Sequence, residues 1–148
     1  MSDLIAFLKQ READKVVEFA ACKDWKDDKG NPVLWKLKKL HTKELERLRA
    51  KHFRLNAKKK DVEIDNYAFN NEALAASVVF PNLKDAKLAD TLLADFPLDQ
   101  RTPGNVLYAI LSDDGEYQAL FAKFSELQGW DDKGDAEQEA LVETAKNE

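Results

Sequence analysis

Two runs of alternating apolar and polar residues, separated by a short polar sequence, constrain the fold more than any other feature of the chain. In "KVVEFAACKDW" Val17 and Phe19 occupy alternate positions, and in "PVLWKLKKL" Val33 and Trp35 do the same. A period of two is the spacing of one face of a β-strand. The "KDDKGN" between the runs contains Gly30, which tolerates positive φ. The pattern predicts a β-hairpin near the N-terminus.

An isolated hairpin is marginally stable in water, so its apolar face must pack against other elements. The rest of the chain supplies helical patterns, apart from "RLNAKKKDVEID", which its polar residues predict to be an exposed loop. The fold class is therefore α+β, with the hairpin packed on a predominantly helical domain. The predicted helices are "SDLIAFLK", "HTKELERLRAKHF" with a Thr42 cap and Phe53 on its apolar face, Asn66 to Phe80, "TPGNVLYAILSDD" with a Thr102 cap, and "DGEYQALFAKFSELQGW" with a Gly129 C-cap.

The helix from Asn66 to Phe80 is apolar around most of its circumference, which predicts a central position in the core. Residues 1–130 are predicted to form a single domain, a size that buries most of the surface its unfolded chain exposes. From Asp131 onward the only bulky aliphatic residues are Leu141 and Val142, so residues 131–148 are predicted to be an acidic, mobile or weakly helical tail.

The stretch "VVFPNLKDAKLAD" contains an abrupt junction. Pro81 disfavours helical backbone at Phe80 and cannot donate an intrahelical hydrogen bond, which predicts that the central helix ends there with the Phe80 ring in the core. Asn82 is a good N-cap for a helix from Leu83, with Asp85 at its third position. The junction is predicted to fix the angle between two helices.

The charge is unevenly distributed. Residues 1–34, 35–60 and 61–148 carry net charges of −1, +9 and −13, which sum to the net charge of −5. The basic segment contains a possible electrostatic patch at Lys51, Arg54, Lys58, Lys59 and Lys60. Such a patch could bind nucleic acid. Because the whole protein is acidic, pairing with the chain's own acidic half, or simple exposure of a solvated helix face, is the favoured interpretation.

The sequence contains no recognisable catalytic or metal-binding motif. His41 and His52 lack the Cys/His spacing of a metal site, and there is no Walker loop, GxGxxG or GxSxG. Cys22 could in principle be a nucleophile with a lowered pKa, but a small buried residue on the hairpin is the simpler interpretation. We therefore expect no catalytic residue, metal or cofactor, and we expect a protein of a reducing cytoplasm without membrane spans.

Large apolar residues on the late helix have two possible roles. Phe121 and Phe124 lie on its apolar stripe, and Trp130 follows the Gly129 cap near the end of the helix. Most residues of this kind belong to a core, but some could instead line a groove for a partner helix. Both interpretations are open from the residues alone.

Several stretches together resemble the XkdN-like family of phage tail assembly chaperones, which occur in phages and prophages. They are "LIAFLK", "DKGNPVLWKLKKLHTKELERLR", "VVFPNLKDAKLAD" and "LYAILSDDGEYQALFAKFSELQGWDD". The most specific positions are Phe80, Pro81, Asn82, Leu83 and Asp85 in the centre, followed later by Gly115, Glu116 and Tyr117. These family markers are expected to be structural.

The resemblance implies a non-enzymatic assembly factor of the host bacterial cytoplasm. Proteins of this kind are expected to bind the tape measure protein, and possibly the tail tube protein, and to be absent from the mature virion. A small nucleic-acid-binding regulator that uses residues 36–60 and a structural tail protein are the alternatives. The sequence leaves the oligomeric state open.

Overall fold

The computed structural model describes residues 2–11, 15–56, 61–130 and 132–147. The helices and strands in this part of the chain confirm the α+β class. In chain order they are α1 Ser2–Arg11, β1 Val16–Phe19, β2 Trp35–Lys38, α2 Thr42–Lys51, β3 Phe53–Asn56, β4 Asp61–Ile64, α3 Asn66–Ser77, β5 Val78–Phe80, α4 Ala86–Leu92, α5 Pro103–Ile110, α6 Asp114–Gln128 and α7 Asp132–Lys146. A single 3-10 turn, Leu98–Gln100, precedes α5.

The predicted N-terminal hairpin is confirmed. Strands β1 and β2 are antiparallel, with Phe19 opposite Trp35. In the turn, the Asp27 carboxylate accepts hydrogen bonds from the backbone N–H groups of Lys29 and Asn31, each at 2.9 Å. Gly30 adopts φ 82°, a conformation that favours glycine. The local sequence therefore specifies the turn as well as the strands.

Three predictions in the middle of the chain are wrong. The segment predicted as a loop forms a second antiparallel hairpin, β3 and β4, with Phe53 opposite Ile64. The segments "FRLN" and "DVEI" alternate apolar and polar residues, as short strands do. The run of lysines between them makes the whole segment look like a polar loop. Phe53 is 53% exposed and so does not lie in the core. Thr42 is the first residue of α2, and the N-cap position belongs to His41.

The junction at Pro81 also differs from the prediction. Helix α3 ends at Ser77, and the β-branched Val78 and Val79 continue directly into β5, which pairs with β2 to give the sheet order β1-β2-β5. Helix α4 begins only at Ala86. The junction therefore links a strand to a helix.

The capping residues of α4 are likewise reassigned. Asp85 is the N-cap, and its side chain accepts a hydrogen bond from the backbone N–H of Lys87 at 2.9 Å. Asn82 instead accepts a hydrogen bond from the N–H of Lys84 at 3.1 Å, in the turn before the helix. Asn82 is therefore a turn residue. Asp85, which was predicted at the third position of the helix, instead caps the start of α4.

The core surrounds α3, as the apolar circumference of that helix predicts. Helix α3 packs against α2, α5, α6 and β5. Its Leu74 is fully buried, together with Trp35 of β2, Leu107 of α5 and Phe124 of α6. The aromatic ring of Trp130 contacts that of Phe124 edge-on, with centroids 5.4 Å apart. One continuous hydrophobic core therefore joins the sheet to the helices.

Phe80 does not belong to this core. Its side chain is 41% exposed, and its ring stacks on that of Trp25, with centroids 5.9 Å apart. Trp25 is itself 38% exposed, so the stacked pair lies at the protein surface. The predicted burial of Phe80 is wrong because β5 replaces the last helical turn and reorients the ring.

Several caps predicted from the sequence are confirmed. Thr102 accepts a hydrogen bond from the N–H of Asn105 at 3.3 Å, and Pro103 is the first residue of α5. Gly129 ends α6 in the left-handed conformation with φ 76°. The Gln128 side chain both donates to and accepts from the backbone of Leu40, which fixes the end of α6 against the sheet.

The terminal helices expose apolar side chains. Leu4 and Ile5 of α1 are 54% and 55% exposed, and Leu141 of α7 is 65% exposed. The tail predicted over residues 131–148 includes α7, and its mobility stays a prediction. None of the helices in the described residues has the length and apolarity needed to cross a membrane.

Candidate functional site

Two adjoining clefts lie along α3. The large cleft has a volume of about 930 Å³ and the small cleft about 410 Å³, and Tyr67 and Tyr108 line both. We refer to the two clefts together as the groove. The large cleft lies between α2 and the start of α5 and is closed by β5 and the turn after it, whereas the small cleft lies between α3, the end of α5 and α6.

The floor of the large cleft is one face of α3. Six α3 residues line it at helical spacing, namely Tyr67, Ala68, Asn71, Glu72, Ala75 and Ala76. Three of the six are alanines, so the backbone of α3 lies close to the surface there. A partner could approach this face more closely than one covered by large side chains.

Asn71 joins three helices at the base of the groove. Its side chain is 7% exposed, its Nδ2 donates to the backbone carbonyl of Gly104 at 3.2 Å, and its Oδ1 accepts a hydrogen bond from the Tyr117 hydroxyl at 2.8 Å. A Cβ atom on Gly104 would lie 2.7 Å from Asn71 Nδ2. The absence of a side chain at Gly104 therefore lets α5 approach α3.

Tyrosines form the boundary between the two clefts. The rings of Tyr108 and Tyr117 stack with centroids 5.5 Å apart, while Tyr67 is 88% exposed. Burial and the neighbouring Tyr108 raise the pKa of Tyr117 well above its ordinary value of 10.0. The Tyr117 hydroxyl therefore keeps its proton and remains a hydrogen-bond donor to Asn71 throughout the physiological range.

An ionic cluster lies on the α2 side of the large cleft. Glu72 accepts hydrogen bonds from Lys51 at 2.6 Å and from His52 at 2.5 Å. Burial raises the pKa of Glu72, but the hydrogen bonds and positive charges of Lys51 and His52 outweigh burial, so the pKa lies below its ordinary value. Glu72 is therefore held in its charged form and fastens the end of α2 to α3.

The family markers divide between the groove and other parts of the fold. Asn82 and Leu83 line the large cleft, and Tyr117 lines the small cleft. Glu116 accepts a hydrogen bond from the backbone N–H of Lys23 at 2.8 Å, which ties the N-terminal hairpin to the start of α6.

The remaining markers have structural positions. Gly115 donates its N–H to the capping carboxylate of Asp113 at 2.9 Å. Pro81 is buried, and the peptide bond between Phe80 and Pro81 is cis. Asp85 caps α4, so these positions shape the turns and helix ends around the groove.

The three aromatic residues predicted to contact a partner are not equivalent. Phe121 is partly buried and lines the small cleft, whereas Trp130 is 41% exposed but lines neither cleft. Phe124 has no exposed surface and belongs to the core, so it cannot contact a partner directly. The spacing along α6 could not distinguish Phe121 from Phe124, because both lie on its apolar stripe, and Trp130 follows the Gly129 cap.

The basic segment is partly neutralised. Lys51 forms its ion pair with Glu72, which lies in the acidic part of the sequence. The Arg54 side chain and residues Lys58, Lys59 and Lys60 lie outside what the structure describes. The predicted electrostatic patch is therefore described only at Lys51, where the charge is paired within the chain.

The surroundings of Cys22 do not favour its reactive form. Burial, followed by the charges of Glu116 and Asp24, raises the pKa of Cys22, so its thiolate form is disfavoured. Cys22 is partly buried and packs against the core, in agreement with the simpler interpretation of a packing residue. No group of three or more potential metal ligands occurs in the described part of the chain.

Sequence reasoning missed most of the groove. It placed Tyr67 on the apolar circumference of α3, and it assigned no role to Asn71, Glu72, Gly104 or Tyr108. A polar residue such as Asn71 among the alanines of a central helix indicates a buried contact to another element, because a buried amide requires hydrogen-bond partners. The sequence could not identify those partners, since Gly104 and Tyr117 are distant along the chain.

Comparison with known proteins agrees with the fold. A search of curated proteins finds no match. The crystal structure of the protein YqbN aligns with a TM-score of 0.64 and 24% sequence identity, covering 80% of this chain and 87% of that chain. The two proteins therefore share a fold. The family model described as phage XkdN-like tail assembly chaperone protein matches residues 4–146. The chain belongs to the XkdN-like family of phage tail assembly chaperones.

Proposed function

We propose that this protein binds the tape measure protein during phage tail assembly, in the host cytoplasm and without catalysis. Membership of the tail assembly chaperone family supports a role with tail proteins. The observation that carries the proposal is the open groove along α3, where tyrosines and alanines are accessible beside polar walls. An apolar centre with a polar rim is typical of protein-binding surfaces.

The proposed partner imposes a physical requirement. A long helical protein exposes apolar side chains until the tail tube surrounds it, and it would aggregate if those side chains were not covered. Repeated weak binding to many chaperone molecules would cover the surface and still allow release when tube subunits compete. An acidic chaperone, with a net charge of −5, would also help keep such a complex dispersed.

Coexpression tests the proposal directly. The tape measure protein encoded in the same tail gene cluster should be more soluble with this protein than without it, and the two should be recovered together by affinity purification. An unrelated acidic protein of similar size is the control for a general effect on solubility. Equal solubility with both proteins, together with no recovered complex at low salt, would overturn the proposal.

Two further measurements test the alternatives. Mass spectrometry of purified virions should detect the tail tube protein but not this chain, because a chaperone leaves before assembly ends. Its presence at a stoichiometry comparable to tail proteins would support a structural role. Titration with duplex and single-stranded DNA should show no salt-sensitive binding, whereas binding that weakens steeply as salt rises would support the nucleic-acid alternative.

A further inference from the structure

We propose that the large cleft binds a short amphipathic helix of the tape measure protein, with acidic residues of that helix at the basic end of the cleft. This inference rests on the proposed function and adds the conformation, the position and the charge of the bound segment.

The size of the cleft matches a helix. A helix about 10 Å across rises about 5.4 Å per turn, so each turn fills roughly 400 Å³. The cleft volume of about 930 Å³ therefore accommodates about two turns. The walls formed by α2 and the start of α5 lie on either side of α3. A helix bound in the cleft would pack against all three and complete a local helical bundle.

The floor favours close helix packing. Ala68, Ala75 and Ala76 lie on the same face of α3 as the other lining residues of that helix. Small side chains allow two helix axes to approach to about 8 Å, the lower end of the usual range. The buried amide of Asn71 is already bonded to Gly104 and Tyr117, so filling the cleft leaves its hydrogen bonds intact.

The two ends of the cleft differ in charge. The backbone N–H of Asp65 donates to the carbonyl of His52 at 3.0 Å, which places the end of α2 beside the start of α3. Because α2 then runs back along α3, the backbone of Arg47 lies nearer the end of α3 than that of Lys51 does. Lys38 lies at the same end, since its carbonyl accepts a hydrogen bond from Ser77 Oγ at 2.6 Å.

Lys84 extends this basic end in the turn after β5. Among the described side chains, Lys38, Arg47 and Lys84 form no ion pair, and Glu44 is the acidic residue that lines the cleft beside them. This end of the cleft therefore carries a net positive charge on a protein of net charge −5. Charge complementarity thus favours acidic residues in the bound helix, and the attraction weakens as salt rises.

Charge reversal with matched controls tests this arrangement. In the coexpressed complex, Arg47→Glu and Lys84→Glu together should lower the affinity for the tape measure protein about tenfold at low salt. The control combines Lys43→Glu and Lys87→Glu, which make the same charge changes on exposed residues outside the groove. Equal affinity of the two double variants would overturn the inference. Thermal unfolding of both should show that they remain folded.

Photochemical cross-linking locates the bound segment independently of affinity. A photoreactive phenylalanine at the exposed Tyr67 should cross-link to the tape measure protein, and the attached peptide should have amphipathic helical spacing with acidic residues. The same group at Leu98, which is 79% exposed and outside the groove, should give far less product. Cross-links only within the chain, to a second copy, or to a non-helical peptide would overturn the inference.

These outcomes separate the two proposals. If the wild-type chain forms no complex with the tape measure protein, the proposed function itself fails. If the complex forms but cross-linking at Tyr67 equals that at Leu98, binding occurs elsewhere and only the inference about the cleft fails.

Discussion

The hydroxyl of Tyr117 on α6 donates a 2.8 Å hydrogen bond to the buried side-chain oxygen of Asn71 on α3. The same amide donates to Gly104 at the start of α5, so one side chain sets the relative positions of three helices. The base of the groove therefore depends on a polar contact within a mainly apolar core.

Loss of this contact should destabilise the fold. Tyr117→Phe retains the ring but leaves the buried Asn71 Oδ1 without its donor, so we expect the free energy of unfolding to fall by about 1–3 kcal/mol. Urea denaturation followed by circular dichroism measures the change. Tyr67→Phe is the matched control, because Tyr67 is 88% exposed and its substitution should have little effect. Equal stability of the two variants would contradict the role of the contact.

Gly104→Ala should also destabilise the protein, for a steric reason. The added Cβ would lie 2.7 Å from Asn71 Nδ2, so one of the two groups must move. We expect a cost of about 1–3 kcal/mol in the free energy of unfolding. A double-mutant cycle with Asn71→Ala checks the cause, because the cost of Gly104→Ala should shrink once the amide is removed. Strict additivity would indicate that the strain arises elsewhere.

Phe124 and Phe80 should respond very differently to truncation. Phe124 is fully buried, so Phe124→Ala should lower the free energy of unfolding by about 3–5 kcal/mol. Phe80 is 41% exposed, and Phe80→Ala should cost less than about 2 kcal/mol. Chemical denaturation of the two variants gives the comparison directly. A larger loss for Phe80→Ala would place that ring in the core after all.

The Glu72 cluster predicts a dependence of stability on pH. Because folding lowers the pKa of Glu72, its contribution is fully present above its ordinary pKa of 4.5 and is lost as the pH falls through the lower folded value. The stability difference between the wild-type protein and Glu72→Gln should therefore be largest above pH 4.5 and shrink below it. Urea denaturation at a series of pH values measures this difference. A difference that grows toward acid pH would contradict the prediction.

Local signals in the sequence predict much of the fold. The first hairpin follows from period-two alternation around "KDDKGN", and the helix ends at Thr102 and Gly129 follow from capping chemistry within a few residues. Strand β5 could not be predicted in this way. Val78 to Phe80 continue the apolar run of α3, so the sequence pattern does not mark the end of the helix. A strand of three residues forms here because it pairs with β2, and that pairing is not visible in the local sequence.

The groove was less predictable because its parts are remote in sequence. Asn71 and Gly104 meet only after α3 and α5 pack together, and no periodicity within either helix contains that information. Spacing identified the apolar stripe of α6 but could not distinguish fully buried Phe124 from partly buried Phe121, since the exposure of each is decided by neighbouring elements. Tyr117 was identified only by the family resemblance, as a marker position. In the structure it lines the small cleft of the groove.

The different environments of the three tryptophans give the protein a useful set of optical reporters. Trp35 is fully buried, whereas Trp25 and Trp130 are 38% and 41% exposed, and none of the three lines the groove. Intrinsic tryptophan emission should therefore shift strongly when the core unfolds and little when a tryptophan-free helix fills the groove. Signals from Tyr67 and Tyr108, which line the groove, should respond when it is occupied, so a tyrosine change without a tryptophan shift would indicate binding without unfolding.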